Sequence, residues 1–304
     1  MDWDDLKHLV ALSRAGSLSA AARRLGAEHT TVARRIASLE ADLSTRIFER
    51  LPRGYVLTPE GEKIAEIAQR IEDDVFSIER LAHGRQSSLE GVVRISAPPT
   101  FASHFLAERL APIRLKHPGI TLELVGDSRA VSLSRREADI AVRLVRPQAA
   151  SIISRRIGTM AFGLYGAQSY LARSSEQDWE FVGYDDSLDH VPQQQWLLDF
   201  AGSRRLGFRC NQLSTIYQAA LAGIGLAVLP RFLGDGDSRL TLVATNPPPK
   251  ARDLWLLVHP DLQRSPRFRA VINHIVAVTG AAQMILDPAG PAVDDENGPG
   301  RETR

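Results

Sequence analysis

Two short helical patterns, joined by a turn within residues 18–43, restrict the fold of this 304-residue chain more than any other feature. The first pattern has a stripe of apolar residues that predicts a buried helix face: Leu18, Ala22 and Leu25. Gly26 then supplies a helix stop. The second pattern has apolar residues spaced 4, 3 and 4 positions apart, which form one buried face: Val32, Ile36, Leu39 and Leu43. Small residues on the first helix let the second helix cross close to it.

A third helix precedes this pair, and a short hairpin follows it. The apolar face of the preceding helix is formed by Trp3, Leu6, Leu9, Val10 and Leu12. Gly16 is placed to end that helix, and Ser17 is placed to cap the next one. The stretch RIFERLPRGYVLT, residues 46–58, has apolar residues on both sides of a Pro-Arg-Gly turn. Residues 1–58 therefore predict an all-α helix-turn-helix domain with a two-stranded wing.

Positive charge is concentrated in this domain. The whole chain has 37 Lys and Arg against 36 Asp and Glu, a net charge of +1, whereas residues 23–53 contain seven arginines and four acids, a net +3. Arginines beside a helix start suit the phosphates of double-stranded DNA, although a solvated helical bundle with surface arginines remains an alternative. The predicted DNA-contacting residues are His29, Thr30, Thr31, Arg34, Arg35, Arg50 and Arg53.

The apolar spacing over residues 59–88 predicts one long linker helix. Thr58, followed by Pro59 and Glu60, has the composition of a helix start. We use the term linker seam for the heptad-spaced residues of this helix, which are Ile64, Ala68, Ile71, Val75, Ile78 and Ala82. Such a seam predicts pairing with a second copy of the chain, through Ile64, Ile71, Val75 and Ile78. The alternative is packing of the seam against its own domain.

Residues 91–286 alternate strand-like runs such as VVRIS and ITLELV with helical segments. This alternation predicts an α/β effector domain built on largely parallel sheets, whose ligands bind at the carboxyl ends of the strands. Residues 287–304 are rich in Pro, Gly and acid and predict a disordered tail.

Catalytic, cofactor and membrane functions receive little support from the sequence. The eight histidines are scattered, no HExxH pair occurs, and the GIGLAV stretch lacks the third glycine of a dinucleotide motif. We therefore expect no enzyme activity, no cofactor and no metal. The single cysteine, Cys210, indicates a reducing compartment. The acidic N-terminus does not resemble a signal peptide, and the apolar run AALAGIGLAVLP is too short to cross a bilayer, so we expect a cytoplasmic protein without a membrane partner.

The combination of small-residue helix, VARRI, LE, a Phe-x-Arg pair and LT followed by Gly resembles the LysR-type transcriptional regulators. ADIAVR and AALAGIGLAVLP resemble the effector region of that family, so the likeness covers about residues 3–285. The family usually starts its recognition helix with Ser-Gln-Pro-Ala-Val-Ser, where this chain has Glu-His-Thr-Thr-Val-Ala at residues 28–33. The base preference of other members therefore does not transfer directly.

The resemblance implies a DNA-binding regulator, a dimer or tetramer, whose effector domain has two lobes like a periplasmic binding protein. On this basis lobe 1 comprises about residues 91–162 and 257–286, and lobe 2 about 163–256. The crossovers then lie near Met160 to Tyr165 and Leu256 to Pro260. The remaining alternatives are a solute-binding protein, or an α/β enzyme, with an incidental helical N-terminus.

The effector site is predicted at the end of VVRIS, where Pro98 and Pro99 lead into a helix beginning near Thr100. Unpaired N–H groups at a helix start favour an anion. Ser128 and Arg143 follow neighbouring strands, and an arginine can bind a carboxylate with two hydrogen bonds. We therefore predict a small organic carboxylate as the effector, bound near Pro99, Thr100, Ser128 and Arg143. The alternatives are that Thr100 caps its helix and that Arg143 forms an internal ion pair.

Overall fold

A computed structural model of the chain describes residues 2–52, 54–84, 89–127, 138–147, 152–263 and 265–290. The chain divides into two compact units, Met1–Ala82 and His83–Arg304. Predicted site residues Arg53 and Ser128 lie outside the described residues, as do residues 85–88 of the predicted linker helix and residues 291–304 of the predicted tail.

The first unit begins with three helices, α1 (Trp3–Ala15), α2 (Leu18–Leu25) and α3 (His29–Leu43). The predicted helix stops are confirmed, because Gly16 and Gly26 both adopt left-handed backbone conformations after α1 and α2. Ser17 caps α2 by accepting a hydrogen bond from the amide of Ala20. The core of the three helices includes Leu9, Leu12, Ala21, Val32 and Leu39. On α2, Ala21 and Ala22 are buried while Leu18 and Leu25 are only partly buried, so the small residues form the centre of the helix contact.

The predicted wing is an antiparallel hairpin of β1 (Phe48–Leu51) and β2 (Gly54–Leu57). Glu40 attaches it to α3, because one carboxylate oxygen accepts hydrogen bonds from the amides of Ile47 at 2.7 Å and Phe48 at 3.0 Å. At the other end of the hairpin, the amide of Tyr55 donates to the carbonyl of Gly16 at 2.8 Å. The wing is therefore fixed to both α1 and α3.

The linker helix α4 spans Pro59–Gly84. Thr58 caps it as predicted, since its hydroxyl accepts from the amide of Gly61 at 2.9 Å and donates to the carbonyl of Arg46 at 2.7 Å. A Cβ on Gly61 would lie 2.1 Å from the carbonyl oxygen of Ile47, so only glycine allows this close approach of helix and wing.

The second unit contains two five-stranded sheets, one in each lobe. The strands of lobe 1 are β3 (Gly91–Ala97), β4 (Ile120–Gly126), β5 (Ile140–Arg143), β6 (Ile153–Met160) and β12 (Arg252–Val258), in the order β4-β3-β5-β12-β6. The strands of lobe 2 are β7 (Phe162–Ala167), β8 (Phe181–Tyr184), β9 (Leu206–Cys210), β10 (Leu226–Pro230) and β11 (Leu240–Val243), in the order β11-β7-β10-β8-β9.

In each sheet four strands run in one direction and the fifth runs opposite to them, so two of the four strand pairs are parallel and two are antiparallel. In lobe 1, β12 runs antiparallel to both β5 and β6, and in lobe 2, β7 runs antiparallel to both β10 and β11. The prediction of largely parallel sheets is therefore right for only part of each sheet. The reversed strand in each sheet is the one by which the chain enters that lobe from the other, β12 in lobe 1 and β7 in lobe 2, and β11 was not predicted.

Helices cover both sheets. Residues 99–116 form an interrupted helix made of α5 (Pro99–Phe101), a π-helical turn (Ala102–Leu106), α6 (Ala107–Arg109) and α7 (Ala111–Lys116). The remaining helices are α8 (Gln168–Leu171), α9 (Pro192–Ala201), α10 (Leu213–Leu221), α11 (Arg231–Gly234), α12 (Pro266–Ala281) and α13 (Gln283–Leu286), with 3-10 turns at Glu176–Asp178, Asp186–Leu188 and Pro260–Leu262.

The lobe boundaries differ from the prediction at one crossover. The first crossover lies at Ala161, between β6 and β7, within the predicted range. The second lies between Val243 and Arg252, so its prediction at Leu256 to Pro260 is wrong, because these residues belong to or follow a strand of lobe 1. The predicted tail also begins too early, since Asp287 is buried and accepts a hydrogen bond from the amide of Gly290.

Candidate functional site

The predicted recognition helix α3 exposes one end and one face. His29, Thr30 and Arg34 are exposed, whereas Thr31 is half-buried. A helix turns by about 100° per residue, which places Thr30 and Arg34 together, opposite the buried face that contains Val32. The Thr30 hydroxyl also donates to the Glu28 carboxylate at 3.3 Å. Thr30 and Arg34 therefore occupy the centre of the exposed surface.

Arg35 differs from Arg34 because three carboxylates surround it. Its guanidinium donates to Asp2 at 2.9 Å and to Asp5 at 3.1 Å, and it lies 4.0 Å from Asp4. The hydrogen bonds to Asp2 and Asp5 raise the pKa of the Arg35 guanidinium. A hydrogen bond from the Asp4 amide, followed by that from Arg35, lowers the pKa of Asp2. The charge of Arg35 is thus already paired with acids of α1.

Exposed arginines also lie on the elements next to this helix. Arg50 is exposed on β1, where it pairs in register with Tyr55. Arg23 and Arg24 are exposed on α2. All three belong to the arginines counted over residues 23–53, and Arg50 is the one among them that is a predicted DNA contact.

The linker seam is covered at Ile64, Ala68 and Ile71 and exposed at Val75 and Ile78. Ala68 is buried, and Ile64 and Ile71 pack against the core of the helix-turn-helix domain. The half-buried ion pair between Arg14 of α1 and Glu72, at 2.5 Å, fixes the same part of α4. Farther along, the exposed fraction rises to 50% at Val75 and 69% at Ile78. Ile64 and Ile71 therefore pack against their own domain, which was the alternative to dimer contact. Pairing with a second copy through Val75 and Ile78 stays a prediction.

Thr100 is buried in the second position of α5, directly beyond the carboxyl end of β3. Pro98 occupies the capping position and Pro99 the exposed first position, so Thr100 does not cap the helix. The first hydrogen bond of the turn runs from the amide of Ala102 to the carbonyl of Pro98 at 2.8 Å. The amides of Thr100 and Phe101 precede that bond and belong to the positive end of the helix.

Arg143 lies at the carboxyl end of β5, next to the end of β3 in the same sheet. Its guanidinium donates to the Ser96 carbonyl at 3.1 Å, the Ser96 hydroxyl at 2.8 Å and the Val142 carbonyl at 2.7 Å. All three acceptors are neutral. Burial lowers the pKa of Arg143, an effect that the negative charge of Asp127 opposes. These hydrogen bonds therefore differ from the internal ion pair that was the predicted alternative for Arg143.

Arg252, which was not predicted as a site residue, is a second half-buried arginine near this edge. It begins β12, directly after the second crossover, and its guanidinium donates to the Leu144 carbonyl of lobe 1 and to the Gln193 side chain of lobe 2, both at 3.3 Å. Burial lowers its pKa as well. Its position directly after a crossover between the lobes could have identified it as a site residue. It was not identified because the second crossover was predicted too late in the chain.

Aromatic side chains connect the two lobes beside this edge. Phe232 of α11 meets Phe101 and Phe105 edge to face, with ring centres 5.9 and 5.8 Å apart. Phe101 follows Thr100 in α5. Because packed side chains transmit displacements, a movement of lobe 2 against lobe 1 would change the packing next to Thr100.

Neither a metal-binding group nor a membrane-spanning helix occurs among the residues that the structure describes. Among those residues, no group of three His, Cys, Asp or Glu side chains is arranged to hold a metal ion. None of the described helices has the length and apolar character that crossing a bilayer requires.

Comparison with known proteins assigns both units. Residues 3–62 match the family described as bacterial regulatory helix-turn-helix protein, lysR family, and residues 86–280 match the LysR substrate binding domain. The Mau operon transcriptional activator of Paracoccus denitrificans is 31% identical over 276 residues, which cover 90% of this chain and 95% of that protein.

Solved structures share the fold over the same length. The virulence activator AphB of Vibrio cholerae gives a TM-score of 0.58 at 22% identity and covers 91% of this chain and 99% of its own. CrgA of Neisseria meningitidis, a LysR-type transcriptional regulator, gives 0.56 at 23% identity and covers 92% and 99% of the two chains. Both structures have the winged domain followed by a two-lobed α/β domain.

Proposed function

The chain belongs to the LysR family of transcriptional regulators, and we propose that a small organic carboxylate bound at the lobe 1 sheet edge controls its action on DNA. It is a DNA-binding regulator with an effector domain, not an enzyme. The nature of the effector and the residues that bind it are the proposed part.

The observation that carries the proposal is the half-buried guanidinium of Arg143. Its three hydrogen bonds go to neutral oxygens of Ser96 and Val142, so they hold the group in place without neutralising it. A buried charge is costly unless an opposite charge accompanies it. Asp127 acts on Arg143 through its charge, and a ligand carboxylate supplies an anionic acceptor for its hydrogen bonds. Arginine is suited to this task because its planar group can donate two parallel hydrogen bonds.

The start of α5 supplies the second half of the proposed site. The amides of Thr100 and Phe101 and the Thr100 hydroxyl lie beyond the end of β3, the strand that also holds Ser96. A helix start stabilises negative charge through its unpaired amides and its dipole. Pro99 and Ser128 complete the proposed set, with Arg252 reaching the same edge from the crossover.

For DNA we propose that His29, Thr30, Thr31 and Arg34 enter the major groove while Arg50 and Arg53 contact the backbone or minor groove. Two-fold related half-sites require two copies of α3, so we also propose a dimer or a dimer of dimers. The exposed residues Val75 and Ile78 of the linker helix are the proposed contact between the two copies. The proposed location of the protein is the cytoplasm, where the DNA lies.

Calorimetry with a panel of organic acids tests the effector site. The full-length protein is compared with Thr100→Val, Arg143→Ala and, as a control, Lys116→Ala, which removes an exposed cation of lobe 1. We expect at least tenfold weaker binding of the active acid to the first two variants, because each loses a hydrogen bond to a charged group, worth about 1.5–3 kcal/mol. Equal binding to all four proteins would place the site elsewhere.

A further inference from the structure

Arg35 sits at the border between the exposed and the buried faces of α3. At about 100° per residue, it lies only about 40° from Leu39 but about 100° from Arg34 around the helix axis. Its side chain is 33% exposed, and its guanidinium turns toward the start of α1. Arg34 and Arg35 are therefore adjacent in sequence but point to different surroundings.

The partners of Arg35 are placed to hold two helices together. Asp2 caps α1 by accepting from the amide of Asp4 at 3.0 Å, and it accepts from Arg35 at 2.9 Å. Asp5, one turn along α1, is only 1% exposed and accepts from the same guanidinium nitrogen at 3.1 Å. Arg35 thus joins the first turn of α1 to the middle of α3.

The charge around Arg35 is unsuited to a phosphate group. Asp4 binds Lys7 at 2.5 Å, so three carboxylates, of Asp2, Asp4 and Asp5, face two cations, Lys7 and Arg35. A phosphate that approached Arg35 would meet the carboxylates of Asp2 and Asp5, which already accept hydrogen bonds from its guanidinium. Arg35 would also have to break two hydrogen bonds in order to bind it.

We infer that Arg35 is a positioning residue, which fixes the orientation of α3 through Asp2 and Asp5 rather than contacting DNA. The acidic first turn of α1 then becomes a determinant of DNA recognition, although it lies outside the positive surface. The inference rests on α3 being the DNA-contacting helix, as proposed above.

The two roles of Arg35 predict opposite effects for a change in Asp2. If Arg35 bound phosphate, Asp2→Asn would remove a competing negative charge and strengthen DNA binding. If Arg35 positions α3, Asp2→Asn weakens binding because one of its two anchors is lost. Asparagine is as good a helix cap as aspartate, so α1 itself is preserved. Asp4→Asn is the matched control, since it removes the same charge but lies 4.0 Å from Arg35 and pairs with Lys7.

The experiment measures affinity of the full chain by fluorescence anisotropy, over a range of salt concentrations, for a fragment selected from random DNA. We expect Arg35→Gln to weaken binding about tenfold with an unchanged salt slope, and Asp2→Asn to weaken it severalfold while Asp4→Asn does not. A salt slope that falls by roughly 0.9, the value for one lost phosphate contact, would overturn the inference, as would tighter binding by Asp2→Asn.

Arg34→Gln tests the proposed DNA-contacting face of α3 independently of the role of Arg35. A lower affinity and a lower salt slope for that variant support the face, whatever Arg35 does. If Arg34→Gln leaves the DNA affinity and the salt slope unchanged, the proposed contact of Arg34 is refuted. The direction in which Asp2→Asn changes the DNA affinity still decides the role of Arg35.

Discussion

Glu40 is the residue that attaches the wing to the recognition helix, and its removal gives a quantitative prediction. A single carboxylate oxygen accepts from the amides of Ile47 and Phe48 at 2.7 and 3.0 Å. A hydrogen bond to a charged group contributes about 1.5–3 kcal/mol, so Glu40→Ala should cost at least about 3 kcal/mol of local stability. Ile47 and Phe48 are buried, and water therefore compensates poorly for the lost acceptor.

Hydrogen–deuterium exchange of the full-length protein measures this effect at the two amides. A loss of about 3 kcal/mol corresponds to roughly 100-fold weaker protection of Ile47 and Phe48. DNA affinity should also fall although a negative charge has been removed, because the wing is displaced. Glu49→Ala is the control, since Glu49 is exposed on β1 and has the same charge. Unchanged protection of the Ile47 and Phe48 amides in Glu40→Ala, or DNA binding as tight as that of Glu49→Ala, would refute this role of Glu40.

Two further changes test the linker helix. Ile78→Glu should yield monomers in sedimentation, because Ile78 is 69% exposed on the proposed dimer contact, whereas Leu115→Glu, which changes an 85% exposed leucine, should keep the size of the wild type. An Ile78→Glu protein of unchanged size would exclude that contact. Gly61→Ala should lower the melting temperature, because its Cβ would lie 2.1 Å from the Ile47 carbonyl oxygen. Gly280→Ala, whose Cβ has no neighbour within 4 Å, should be neutral or stabilising by up to about 1 kcal/mol.

The helix-turn-helix domain could be predicted closely from the sequence because its determinants are local. Apolar spacing defines the buried face of α3, and Gly16, Ser17 and Gly26 mark helix ends through their own backbone preferences. Such signals act within a few residues, where one sequence is sufficient.

Long-range contacts explain the predictions that failed or stayed open. Nothing near Arg35 in the sequence shows that acids 30 and 33 positions earlier surround it. Ile71 has the spacing of a dimer contact but packs on its own domain. The second crossover was misplaced because β11 has only four residues, two of them exposed, and gives a weak strand pattern. Arg252 was missed for the same reason, since its role depends on the position of that crossover.

Selection from a random pool of double-stranded DNA, by wild type and by a Thr30→Ala/Arg34→Ala variant, tests the central claim most directly. Both side chains lie on the exposed face of α3, and each lost base contact should cost about 1–3 kcal/mol of discrimination. We predict that the wild type enriches a sequence of two related half-sites, and that the variant enriches that sequence weakly or not at all. Enrichment of the same sequence to the same extent by both proteins would contradict recognition through this face.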